Sequence, residues 1–270
     1  MALSKIDVAN MLTGATPVAN GGTGQTTFAA AGLGKRPNAT PLIINGDMAV
    51  AQRSTSATSI TGNGLNSVDR MYWAINSIGT YTCAQESLTS GPAFEAGFAN
   101  AMRIDTTSAD ASPASADYLY LQYNMEGQDL QLFKKGTSSA EKVSLRFWVK
   151  SSKTGTHIVE LLDNDNSRFV SLAYTISSAN TWENHTLTFP ADTTGAFADD
   201  NGVGLGIHWY MGAGSNISSG TLGTTWHTTQ ANRAAGQVNL ADSTDNNWYL
   251  TGVQLEVGEQ ATPFEHRSFG

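Results

Sequence analysis

One stretch near the C-terminus constrains this chain more than any other. Asn247–Val257 reads NWYLTGVQLEV, with Tyr249, Thr251, Val253, Leu255 and Val257 on one parity and Leu250, Gly252, Gln254 and Glu256 on the other. A period of two with β-branched and aromatic residues on one side signals a strand with one buried face. Gly258 and the polar pair Glu259–Gln260 end it. The similar run Pro41–Ile44 lies far upstream, and pairing the two would close a sheet and tie the domain ends together. The expectation is an all-β sandwich sealed by this strand.

Composition agrees with that expectation. A chain of 270 residues with 40% hydrophobic and 14% charged residues must owe its polar surface to Ser, Thr, Asn and Gly, as β structure with polar loops does. All-β sandwiches of this length are often single domains. A net charge of −8 argues against nucleic acid as a partner, because affinity for a phosphate backbone comes from Lys and Arg. Cys83 is the single cysteine, which rules out an intrachain disulfide and reads as a small buried hydrophobe. The start MALSKIDVAN lacks the basic and apolar regions of a signal peptide. No apolar run reaches the roughly 20 residues of a membrane helix, so no membrane insertion is expected.

Along the chain, Ser4 and Asp7 fit a capping box ahead of a short helix whose apolar side is Ile6, Ala9 and Leu12. Such a helix is too short to hold alone and needs a docking partner. Ala15–Thr27, ATPVANGGTGQTT, carries Gly21, Gly22 and Gly24, which forbid a regular helix. It reads either as a flexible linker or as an extended segment wound against copies of itself. From Pro41 the period-two pattern takes over. Strands are expected at Val68–Ala74, Thr80–Glu86, Asn100–Thr106, Tyr118–Met125, Val143–Val149, Thr156–Leu162, Phe169–Ile176, Trp182–Phe189 and Val203–Met211. Ser151–Gly155 reads as a turn joining Val143–Val149 and Thr156–Leu162 into a hairpin. Glu126–Gly136 reads as a helical turn, with Leu130 and Phe133 spaced three apart.

Several of these stretches resemble known proteins. ATPVANGGTG, followed by Thr26–Thr27, resembles the connector of bacteriophage tail-fibre and related virion-fibre proteins. LRFWVKSSKTGTHIVEL, TISSANTWENHTLTFP, QVNLADSTDNNWYLTGVQLEVG and ATPFEHR resemble the globular module of such fibres, and LIINGDMAVAQR resembles the opening strand of carbohydrate-binding jelly rolls. Relatives often continue beyond a C-terminus such as Phe269–Gly270. The resemblance implies a virion-attachment segment at 1–14, an extended trimeric connector at 15–40, and a β-sandwich jelly roll at 41–270. It further implies a homotrimer in the virion, held to other virion proteins through Ile6, Ala9 and Leu12. The sandwich would face host-surface glycans. A decoration protein without glycan binding, or a polysaccharide depolymerase, are the alternatives.

Catalytic signatures are sparse. GVGLG at Gly202–Gly206 runs into a strand rather than a helix, which does not suit a dinucleotide loop. His157, His185, His208, His227 and His266 lack zinc spacing, and there is no G-x-S-x-G elbow. Carboxylate pairs such as Glu126/Asp129 and Asp163/Asp165 arise by chance in any acidic chain, so no enzymatic activity is expected. No cofactor is expected apart from a structural calcium. The Asp163–Asn166 turn offers hard oxygens for one, and the jelly-roll resemblance points to Asp47 and Glu256. The six tryptophans are the strongest functional clue, because sugar C–H faces stack on aromatic rings. Trp148, His208, Tyr210 and Trp248 lie opposite the expected core parity of their strands. If those strands are neighbours, the four side chains form one glycan-binding platform.

Overall fold

A computed structural model describes residues 42–266. The expected attachment helix with Ile6, Ala9 and Leu12 and the expected connector at 15–40 lie outside the described residues. The architecture is all-β, and the described residues form eleven strands in two antiparallel sheets. They are β1 (Ser56–Ile60), β2 (Tyr72–Asn76), β3 (Thr80–Ser87), β4 (Asn100–Ser108), β5 (Tyr118–Glu126) and β6 (Val143–Ser151). The chain continues through β7 (Gly155–Asp163), β8 (Arg168–Ile176), β9 (Glu183–Phe189), β10 (Val203–Ala213) and β11 (Asn247–Val257). The six-stranded sheet runs β1-β3-β4-β11-β6-β9 and the five-stranded sheet β2-β5-β10-β7-β8.

The pairing identifies the topology. From β4 onward the strands pair as nested couples: β4 with β11, β5 with β10, β6 with β9, and β7 with β8. That is one long antiparallel hairpin whose tip is the β7–β8 turn, rolled so that alternate couples fall in opposite sheets. A hairpin rolled in this way is a jelly roll. The expected β6–β7 hairpin is therefore a correction, because Ser151–Gly155 carries the chain from one sheet to the other. β7 instead pairs with β8 through the Asn164–Ser167 turn.

Between the sheets lies a single large core. Leu145, Phe147 and Val149 of β6 meet Leu205, Ile207, Trp209 and Met211 of β10, with Trp73, Met102 and Ile104 around them. Gly127–Phe133 is the expected helical turn, and its Leu130 and Phe133 reach this core. Cys83 is buried in it as a free thiol.

Two features of β11 depart from the expectation. Of the run Pro41–Ile44, the described residues Leu42–Ile44 form no ladder; β11 pairs with β4 and β6 instead. That run leads into a tight turn at Asn45–Gly46, whose Gly46 carbonyl accepts from the Val253 N–H at 2.9 Å. A Cβ on Gly46 would lie 2.1 Å from the Val253 carbonyl oxygen, so only glycine permits the approach. The second departure is a bulge. The β6–β11 register shifts between Thr251 and Gln254, with Gly252 at φ +63°. An extra residue at a bulge reverses which parity faces inward. Trp248 and Leu250 therefore point into the core before the bulge, and Val253 and Leu255 after it.

Candidate functional site

The four residues expected to form one platform are not brought together. Trp248 lies wholly inside the core, its parity reversed by the bulge. Trp148 does face outward from β6, on the six-stranded sheet. His208 and Tyr210 face outward from β10, which belongs to the other sheet, and both are buried. The platform thus fails for two reasons: one ring is core, and the remaining three are divided between opposite sides of the sandwich.

The outer face of the five-stranded sheet carries a buried polar cluster. Side chains of antiparallel partners share a face, so the register sets Tyr72, Gln122, His208, Glu160 and Ser171 in one row. Ala74, Tyr120, Tyr210 and Ile158 stand beside it. The segment between β10 and β11 closes over the β7–β10 half, with Ala234 packed on Ile158 and Tyr210, and Ile217 and Leu222 around them. Under that cover Glu160 holds three partners. Arg233 donates through Nε and Nη2 at 2.8 and 2.7 Å, His208 Nδ1 lies 3.0 Å away, and the Tyr210 hydroxyl donates at 3.2 Å. Burial pushes the Glu160 carboxyl up, but the Arg233 and His208 bonds outweigh it and hold the group below its usual range. Burial likewise lowers His208, more than Glu160 raises it. His208 is accordingly a neutral ring donating Nδ1–H to Glu160. Its Nε2 has no partner among the described residues and converges with Gln122 and Asn124 over the bare Cα of Gly206.

Beyond the cover, the β5–β2 half of this face stays half-open. Tyr118 and Tyr120 stack at 5.3 Å, and Tyr120 stacks on His208 at 4.4 Å. Tyr72, Gln122 and Asn124 continue the row, all half-buried, with Gln122 Nε2 donating to Asn124 Oδ1 at 2.5 Å. Rings alternating with amides that both donate and accept can bind a polyhydroxylated ligand by stacking and hydrogen bonding. Sequence pattern located β5 but its outward set was missed. The signal was the parity of YLYLQYNM, where Leu119, Leu121, Tyr123 and Met125 point inward and Tyr118, Tyr120, Gln122 and Asn124 outward.

The outer face of the six-stranded sheet carries an aromatic cluster packed under segments of the same chain. Tyr249 and Trp182 meet edge to face at 6.1 Å, and the Lys150 ammonium lies 3.9 Å from the Tyr249 ring centroid. Trp148 packs here with Phe98 and Phe264, and the Phe98 ring sits against Gly252. The segment after β11 straps across, as Glu256 accepts from both the Thr262 N–H and hydroxyl at 2.7 Å. Both carboxylate oxygens of Glu256 are thus engaged, while Asp47 accepts from its own turn at the Ala49 N–H. Among the described residues no three His, Cys, Asp or Glu side chains converge as metal ligands, so Asp47 and Glu256 belong to no such group.

The Asp163–Asn166 turn does hold a cation, but the cation is a lysine. Lys135 Nζ lies 2.5 Å from Asp163 Oδ2 and 3.1 Å from Asp192 Oδ2. It also donates to the Thr194 and Gly195 carbonyls at 2.9 and 2.7 Å. The ammonium sits over the Phe197 and Trp226 rings, at 5.3 and 5.1 Å.

No protein-family model matches the sequence, and no curated protein matches it. Among solved structures, the chain is similar to the enzymatically active domain of tailspike protein 4 of bacteriophage CBA120. The identity is 12% and the TM-score 0.38, over 80% of this chain and 21% of that one. It is also similar to a family 11 carbohydrate-binding module of Clostridium thermocellum (10% identity, TM-score 0.34, 76% of this chain and 96% of that one). A xylan-binding domain from Paenibacillus barcinonensis gives 14% identity and a TM-score of 0.35, over 68% of this chain and 91% of that one. Each is a likeness of fold.

Proposed function

We propose that this protein is a non-enzymatic bacteriophage fibre or appendage protein whose jelly roll binds a host-surface glycan on the outer face of the five-stranded sheet. The observation that carries the glycan reading is the half-open row of Tyr72, Tyr118 and Tyr120 with Gln122 and Asn124 between and beside them. The rings offer stacking surface, the amides pair with hydroxyls, and the strands hold both rigidly. Binding rather than hydrolysis is favoured by the state of Glu160, the buried carboxylate in the same cross-strand row. Glu160 is ionised and held by Arg233, His208 and Tyr210, which leaves it no proton to give a leaving group. The fibre reading rests on the connector ATPVANGGTG, and with it go the homotrimer, the N-terminal attachment through Ile6, Ala9 and Leu12, and location in the virion. A calcium ion at Asp47 and Glu256 has no support in the geometry and forms no part of this reading.

Affinity electrophoresis through gels containing capsular polysaccharide, lipopolysaccharide-derived polysaccharide, xylan and mixed-linkage β-glucan tests the binding. The wild-type protein should be retarded in at least one, and Tyr120→Ala should restore its mobility. No retardation in any gel, confirmed by a blank glycan array, would sink the glycan reading. Shortening of the polysaccharide during incubation would sink the non-enzymatic one. Sedimentation equilibrium of the full chain should give a trimer, and a monomer would remove that part.

A further inference from the structure

The Lys135 site has a geometry that an ordinary ion pair does not require. Its amine and the Asp163 carboxylate are almost completely removed from solvent, with side-chain exposures of 3% and 0%. Burying an ion pair is costly for each ion, and the mutual attraction often only offsets this. A second carboxylate, Asp192, is 5% exposed and lies 3.1 Å from the same nitrogen. The Asp163 carboxyl is also polarised from its far side. The Asn166 N–H and Nδ2 donate to Oδ1 at 3.1 and 3.2 Å, and Nδ2 reaches Oδ2 at 2.9 Å. Around these groups the packing leaves little room for water. Phe197 and Trp226 cover the nitrogen, and Gly195 lies so close to Asn166 that a Cβ would meet its Cγ at 2.5 Å.

We propose that Lys135 and Asp163 condense into an intramolecular amide, with Asp192 as the proton carrier. The lysine ammonium first passes a proton to Asp163 Oδ2, giving a free amine beside a neutral acid. The amine nitrogen then attacks Cγ, whose Oδ1 gathers negative charge and is stabilised by the two Asn166 donors. Asp192 Oδ2 takes the second proton from nitrogen and returns it to the departing Oδ2 hydroxyl. The Nζ–Cγ bond forms, the Cγ–Oδ2 bond breaks, and one water leaves. An ammonium and a carboxylate become an amide and water, so charge and atoms balance with no further reactant. Two buried charges disappear in the process. Arg168 stays paired with Asp192 at 2.7 Å and holds it in position. The bond would tie the loop before β6 to the end of β7, beside the turn at the tip of the rolled hairpin. It would stiffen the domain whatever ligand the outer face takes.

Intact-mass measurement of the purified wild-type chain, beside Lys135→Arg and Asp192→Asn, tests this. Relative to its sequence mass the wild type should be lighter by one water, and both variants should keep their full sequence mass. Tandem mass spectrometry of a digest should then show a branched peptide joining Lys135 to Asp163. A wild-type chain at its full sequence mass overturns the proposal. So does a water loss shared by Lys135→Arg, which would place the dehydration elsewhere, as in a cyclised aspartate. A cross-link that forms in Asp192→Asn overturns the role given to Asp192.

Discussion

The two outer faces of the sandwich begin with similar materials and end differently. Each presents aromatic residues at outward positions, with charged or amide neighbours two residues along the strand. On the six-stranded sheet, Tyr249 and Trp182 lie beneath Lys150, Trp148 packs with Phe98 and Phe264, and the chain after β11 is tied down through Glu256. The ring cluster around Tyr249 and Trp182 is closed over by its own chain. On the five-stranded sheet the cover stops halfway. Ala234, Leu222 and Ile217 bury Tyr210 and Ile158, whereas Tyr72, Tyr118 and Tyr120 keep part of their surface in solvent. An outward aromatic therefore carries little meaning until the segments that cross the sheet are placed. The second face sets its half-buried rings beside the Gln122 and Asn124 amides, where a ligand can use both.

The largest effect is expected at a residue that belongs to neither face. Trp248→Ala removes a ring wholly within the core, and should cost about 3–5 kcal/mol in a urea unfolding curve. A cost below about 0.5 kcal/mol, as for a surface position, would put Trp248 back on a face and break the comparison. Next is Arg233→Ala, which leaves Glu160 ionised and buried with only His208 and Tyr210 for partners. We expect a loss of about 3 kcal/mol, at the lower end for breaking a buried pair because Arg233 is itself partly exposed. Glu160→Gln in the same chain should recover much of it. If the single variant is as stable as the wild type, the cover over the five-stranded sheet is not anchored by this pair.

A pH titration probes the core between the faces. His157 is buried with its Nε2 hydrogen-bonded to the Lys153 carbonyl, and burial holds its pKa down at about 4. His185, near Tyr174 at the same end, is also lowered by burial. The ordinary histidine value is about 6.5, so between that pH and about 4 the unfolded chain binds the extra protons. Stability should be complete above pH 6.5, fall as the pH drops toward 4, and level off for these groups below it. His157→Phe should flatten that part of the curve, and an unchanged slope would show that the histidine does not set it. The smallest effects discriminate the faces directly. Tyr118→Ala should weaken glycan binding by about 1 kcal/mol, several-fold in Kd, with little change in stability. Trp148→Ala should lower stability and leave the affinity unchanged. The reverse pattern would move the binding face to the six-stranded sheet.

Much of this protein was determined by sequence alone. Alternation in SLRFWVK and VGLGIHWYM sets the core faces of β6 and β10, because a strand's side chains can only alternate. The same rule placed Thr80–Glu86, Asn100–Thr106, Tyr118–Met125 and Phe169–Ile176 as strands. It could not place Trp248, since Gly252 turns to positive φ and the resulting bulge exchanges the two parities within one strand. Nor could it pair strands. Neighbours in sequence such as β6 and β7 lie in different sheets, while β4 and β11 lie side by side. Pairing depends on how the long hairpin rolls to bury both its faces, a property of the whole chain. The site was decided last and farthest from the sequence. Glu160, His208 and Arg233 meet only because β7, β10 and the segment covering them converge. Tyr118 and Tyr120 keep part of their surface in solvent, although Tyr120 packs against the covering cluster. Local pattern fixes which way a side chain points; what lies over it depends on contacts between residues distant in the chain.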